Sequence, residues 1–164
     1  MQKFIIKVDL HTPQSVFESD AECFILPADI ASSDLQTLIS KAHRKNRILL
    51  TTQPNVCLEQ GLDGVLLDLS KSEHIAADYR TLTKGLKGRF IGAVCRNRRH
   101  EAMILSECEP DFIVFRAWKE GAEKVRELTD WYNEFFLIQS ALLPMDSDLD
   151  TSTFHTDFVI KSAE

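Results

Sequence analysis

With 164 residues, and 19 Lys and Arg against 25 Asp and Glu for a formal charge of −6, the chain is sized for one well-buried domain. It lacks the basic excess of a nucleic-acid or polyanion binder. Apolar residues make up 44% and charged residues 27%, which excludes a globally disordered chain. The longest apolar runs, such as Ile48-Leu49-Leu50 and Val65-Leu66-Leu67, are strand-length and far short of a membrane span. Lys3, Lys7 and Asp9 break up any secretory leader. Cys23, Cys57, Cys95 and Cys108 form no CxxC pair and sit among apolar or helical residues. The expectation is reduced thiols in a cytoplasmic protein, not a disulfide framework or a zinc site.

In chain order, strands are expected at Phe4–Val8, Cys23–Leu26, Ile48–Thr51, Gly64–Leu67, Phe90–Cys95, Phe112–Phe115, Phe135–Gln139 and Phe158–Lys161. Most of these runs are apolar without a two-residue alternation, as strands covered on both faces read, so a parallel sheet is predicted. Helices are expected between them. Asp34–Arg44 puts Leu35, Leu38, Ile39 and Ala42 on one face behind a Ser32 or Ser33 cap. Pro54 opens a short helix to Glu59 that Gly61 ends. Ser72–Leu86, Arg98–Glu107 and Glu120–Asn133 follow, the last with Val125, Leu128 and Trp131 inward.

Repeated strand–helix units define an α/β class. Eight strands predict a compact (β/α)₈ TIM-type barrel forming a single domain over residues 1–164, although such barrels typically use about 250 residues. The chain fits only by losing helices. Ser15–Ala21 after the first strand is too short for much of one, Leu143–Thr156 reads as an acidic loop in place of the seventh, and Glu164 follows directly on strand eight. An open flavodoxin-like sheet would leave about three strands without a place.

The stretch Leu49-Leu50-Thr51-Thr52-Gln53-Pro54, continued by Glu59-Gln60-Gly61-Leu62-Asp63-Gly64-Val65-Leu66-Leu67, resembles the third and fourth units of the thiamine-phosphate synthase/TenI family. Ile91-Gly92-Ala93-Val94-Cys95, Arg99-His100-Glu101-Ala102 and Glu109-Pro110-Asp111-Phe112-Ile113-Val114-Phe115 are similar to its fifth and sixth. The resemblance covers about residues 47–116. It implies a barrel taking a thiazole phosphate and a pyrimidine pyrophosphate at the C-terminal strand ends, with Mg²⁺ on two aspartates.

The family's functional residues are largely unmatched. Its Asn-Asp pair falls on Thr51 and Thr52, and its second metal aspartate on Lys71, where an ammonium repels magnesium. Its basic set of strand two falls in Cys23–Asp29, which has no cation, and its Gly-Gly phosphate loop falls near Ser140-Ala141-Leu142. The segment after strand six is shortened to Trp118-Lys119-Glu120. Ser162 alone matches, at a phosphate-contacting position of strand eight, and the C-terminal His of the TenI isomerases has no secure counterpart. No metal and no cofactor are therefore expected, and no catalytic residue is assigned.

Read on their own terms, the ring of strand C-termini holds Asp9, His11, Asp29, Thr51, Asp68, Arg96, Asn97, Arg116, Lys119, Ser140, Lys161 and Ser162. Of these, Arg96, Asn97, Arg116, Asp68, Lys161 and Ser162 are the candidate ligand-binding set. Arg116 replaces a family glycine. Its guanidinium either meets an anionic ligand or pairs with Asp68 and fills the pocket. Arg96-Asn97-Arg98-Arg99-His100, the one basic cluster, opens a helix as an anion site would or as a solvated helix start would. His11 has no evident partner, and Trp118, Trp131, Phe135 and Phe136 read as packing rather than as a stacking platform.

The functional expectation is a degenerate synthase-like barrel binding a small anionic or phosphorylated ligand. A non-catalytic regulatory or interaction protein and a divergent thiamine-biosynthesis enzyme are the alternatives. Neither a nucleic acid nor a membrane is an expected partner. A homo-oligomer, a homodimer in the simplest case, is expected from apolar surface near Phe136, Ile138, Phe158 and Ile160 on the trimmed edge.

Overall fold

The computed structural model describes residues 3–9, 14–30 and 32–163. Eight parallel strands pair in sequence order: β1 (Lys3–Lys7), β2 (Cys23–Ile25), β3 (Ile48–Thr51), β4 (Gly64–Asp68), β5 (Phe90–Cys95), β6 (Phe112–Ala117), β7 (Gln139–Pro144) and β8 (Phe158–Ser162). β8 closes on β1 through Lys3↔Phe158 to Lys7↔Ser162. Following the register strand to strand around the sheet returns to β1 eight residues from the start. That is the stagger of a (β/α)₈ barrel, which fixes strand tilt and diameter.

Among the described residues the helices are α1 (Ser32–Arg44), α2 (Pro54–Gln60), α3 (Ile75–Leu82), α4 (Arg99–Glu107) and α5 (Ala122–Phe135), one after each of β2 to β6. Short 3₁₀ segments, Gln14–Glu18 and Thr151–Thr153, stand where the first and seventh helices would be. The trimming expected from sequence is what the barrel shows.

Side-chain alternation divides the apolar residues into two cores. Ile5, Ile25, Leu50, Leu66, Val94, Val114, Ala141 and Ile160 fill the barrel, while Ile6, Phe24, Leu49, Val65, Ala93, Ile113, Leu142 and Val159 face the helices. This double burial is why the strands read as unbroken apolar runs. Glycine is required at Gly92, where a Cβ would fall inside the Phe112 ring. The ring lies across the barrel interior over that glycine, 6.3 Å from the Phe158 ring.

Two expectations are corrected. The seventh strand is Gln139–Pro144, not Phe135–Gln139. The aromatic run belongs to the end of α5: Tyr132 is fully buried, its hydroxyl 2.7 Å from Ser106 Oγ, and its ring stacks on Phe136 with centroids 4.7 Å apart. Pairing with all of β6, from Phe112↔Gln139 to Ala117↔Pro144, overrides the weak strand propensity of Gln139, Ser140 and Pro144.

The trimmed edge is also covered differently from expectation. Phe158 and Ile160 face the barrel interior, and Phe136 and Ile138 are partly buried against the outer core. Phe154, 1% exposed, and Leu149 join that outer core from the segment between β7 and β8, in place of a helix. Part of the surface reasoned to require a second copy is therefore covered from within the chain, while Phe135 and Leu137 beside it stay exposed.

Candidate anion site at the barrel mouth

Residues two positions beyond the interior layer face the C-terminal mouth. By this alternation Lys7 follows Ile5, Asp68 follows Leu66, Arg96 follows Val94, Arg116 follows Val114 and Ser162 follows Ile160. Arg116 is half-buried in this ring, with its guanidinium carbon 5.2 Å from the centroid of the Trp118 ring, two residues further along. A flat cation against an aromatic face is held in orientation without losing its charge.

Asp68 and Arg116 do not form the ion pair that one reading expected. No contact within 4 Å joins them among the described residues. Asp68 instead accepts hydrogen bonds from its own loop, from Ser70 N at 3.0 Å and Ser70 Oγ at 2.6 Å. Burial pushes its pKa up, but the Ser70 hydrogen bonds and the nearby charges of Arg116 and Lys71 outweigh that, and the net shift is downward. A carboxylate beside a backbone N–H two residues on takes the local bond first, so Arg116 is left without a carboxylate partner.

The Arg116 Nε is buried and meets no hydrogen-bond partner. Among the described residues, the buried side-chain atoms with no hydrogen-bond partner are Arg116 Nε on β6, Asn97 Oδ1 in the turn after β5, Glu101 Oε2 in the first turn of α4, and Ser19 Oγ. Asn97 is tied to β6 by donating from Nδ2 to the carbonyl of Arg116 at 2.8 Å. Unmet buried donors and acceptors cost stability unless something bonds to them, so Arg116 Nε and Asn97 Oδ1 are groups that an occupant of the mouth could satisfy.

The basic cluster is dispersed. Arg96 donates from Nε to the Ser70 carbonyl at 3.0 Å and lies 3.7 Å from Glu101, to which Arg98 also comes within 3.8 Å. Arg99 packs over Trp131. Of this run, Asn97 and Arg96 reach the mouth and the others serve the surface of α4. Glu101 also sits by Cys95, whose thiol is pushed up to about 12, chiefly by burial.

The remaining candidates separate. Ser162 faces the mouth, but Lys161 alternates outward and lays its amine over the Phe4 ring at 4.2 Å, on the barrel flank. Ser140 lies at the N-terminal end of β7, buried, donating to Asn133 Oδ1 at 2.7 Å, because the strand is displaced from its expected position. The loop after β7 is consequently Met145–Asp150, and it is acidic. Asp146 accepts from Lys119 N at 2.5 Å and Asp148 pairs with the Lys119 amine at 2.7 Å. Thr51 is buried outside the barrel lumen and accepts from Gln53 N, Asp9 and Asp29 are rim residues, and His11 lies outside the described residues.

Lys7 and the stacking role of Trp118 were missed. Period-two counting from Ile5 would have found the first. The second needed the cation across the ring. The magnesium implied by the family resemblance does not fit this donor set: the one strand-end carboxylate, Asp68, is engaged by Ser70 with Lys71 and Arg116 close by. No group of three His, Cys, Asp or Glu able to hold a metal occurs among the described residues.

No helix among the described residues is long and apolar enough to cross a membrane. No protein-family model and no curated protein matches the sequence. Solved structures do match. A thiamine phosphate pyrophosphorylase from Pyrococcus furiosus superposes with a TM-score of 0.73 at 15% identity, covering 98% of this chain and 85% of that one. An aldolase from Escherichia coli K12 gives 0.70 at 12%, covering 97% and 74%. A 3-keto-L-gulonate-6-phosphate decarboxylase from Vibrio cholerae gives 0.61 at 14%, covering 99% and 88%. At these identities the likeness establishes a TIM-type (β/α)₈ barrel and leaves the chemistry to the residues at its mouth.

Proposed function

We propose that this barrel binds a small anionic ligand, phosphorylated or carboxylated, at its C-terminal mouth, without the magnesium-dependent condensation of the thiamine-phosphate synthases it resembles. One observation carries the reading: a half-buried guanidinium, Arg116, held against Trp118 with its Nε buried and unpartnered. Arg116 supplies the fork for a planar or tetrahedral anion, Lys7 adds charge, Ser162 adds a hydroxyl donor, and the free Asn97 Oδ1 accepts from any hydroxyl the ligand carries. The acidic loop after β7 turns anions away from the β7 side and toward β5, β6 and β8.

The test uses Trp118 as a reporter. Titration with inorganic phosphate, pyrophosphate and a thiazole phosphate should change its emission and raise the melting temperature. Arg116→Ala should abolish both responses, and Trp118→Phe should remove only the optical one. No response to any anion at millimolar concentration overturns the reading. A second reading, a non-catalytic self-associating chain, draws on Phe135, at the end of α5, and Leu137, on the turn to β7, both exposed. Sedimentation of the chain beside a Leu137→Glu variant decides it.

A further inference from the structure

At the opposite end of the barrel, away from the C-terminal face where this fold carries its catalytic residues, the strand N-termini border an open space. A cavity of about 480 Å³ reaches inward from the floor, within the size range of ligand pockets. Ile5, Cys23, Ile48 and Leu50 form one wall, and Phe112 and Phe158 the other. The cavity follows from the packing over Gly92. Phe112 lies across the barrel against that glycine, on the β5–β6 side, and small or branched side chains on β1 to β3 leave the facing half open.

The rim adds a charge preference. Asp20, Glu22 and Asp111 stand at the entrance against a single cation, Lys3. Asp111 accepts from Ile91 N at 2.7 Å, but no described residue donates to the carboxylates of Asp20 or Glu22. An aromatic wall, an aliphatic wall and two unengaged carboxylates at the door suit one ligand chemistry. The geometry points to a binding site at the barrel floor for a small lipophilic amine, its ring between Phe112 and Ile48 and its ammonium at Asp20 and Glu22. The site is independent of the anion site at the mouth, and either can fail without the other.

Three probes of one shape separate the contributions: 2-(1-naphthyl)ethylamine, the corresponding alcohol and the corresponding carboxylate, titrated into methyl-labelled protein. The amine should shift the methyl signals of Ile5, Ile48 and Leu50 and leave Leu143, at the other end of the interior, unmoved. Its Kd should be about tenfold lower than that of the carboxylate. The exposed double change Asp20→Asn with Glu22→Gln should erase that preference without disturbing the fold. Ile48→Phe, which fills the cavity, should remove binding of all three probes. Equal affinity for amine and carboxylate, or no methyl shift at millimolar amine, overturns the proposal. So does concentration-dependent shifting of the same methyls without ligand, which would make a second copy of the chain the occupant.

Discussion

Replacing Asp68 by Ala distinguishes a filled barrel mouth from one waiting for a ligand. Were Asp68 the buried partner of Arg116, its removal would strand a guanidinium and cost about 3–5 kcal/mol. The structure gives a smaller figure. Asp68 is exposed but accepts two hydrogen bonds from the buried Ser70, no N···O contact within 4 Å to Arg116 is broken, and Arg116 keeps its place over Trp118. Solvent screening discounts the Coulombic part, and the two donors left unmet on Ser70 leave about 1–2 kcal/mol. The pH dependence has a definite sign. The folded pKa lies below its ordinary value of 3.8. The carboxylate's contribution is therefore present above that value and lost as pH falls through the folded pKa. Urea denaturation followed by circular dichroism should show the gap between parent and variant constant from pH 7 to 5 and closing below about pH 4. Removing a nearby negative charge should also tighten phosphate binding at Arg116 about two- to threefold. A stability loss of 3 kcal/mol or more, or weaker phosphate binding in the variant, would refute the reasoning.

Gly92→Ala should cost about 1–3 kcal/mol by overpacking against Phe112, and combining it with Phe112→Leu should recover most of the loss in a thermal melt. Tyr132→Phe strands the buried Ser106 hydroxyl and should lower the urea midpoint by the equivalent of about 1–2 kcal/mol with an unchanged slope; no change would mean another acceptor is within reach. Burial pushes the Cys23 and Cys95 thiols up to about 12, so iodoacetamide at pH 8 should leave both unmodified in the native protein and label them once urea unfolds it, as peptide mass mapping would report.

Continuous apolar runs separated by capped helical stretches told of a parallel sheet with both faces covered, and eight of them in so short a chain left a trimmed barrel as the economical arrangement. Strand β7 shows the limit of that reading. Phe135 and Phe136 outrank Ser140 and Ala141 in local β propensity, yet the aromatics finish a helix because Tyr132 and Trp131 stack with them, and the weaker segment becomes the strand because β6 offers a full register. Which strand-end residues face the mouth follows from counting by two; the sequence reading placed Arg116 and Ser162 there, but it also counted Lys161 into the set, and the structure turns that residue outward over Phe4. Who partners whom does not follow from counting. Asp68 and Arg116 stand two residues past interior positions on separate strands, and only the loop carrying Ser70 decides that the carboxylate bonds locally and the guanidinium stays free. The floor cavity is likewise a property of the closed sheet. It arises where side chains remote in sequence fail to fill a shared volume, and no local pattern records a space.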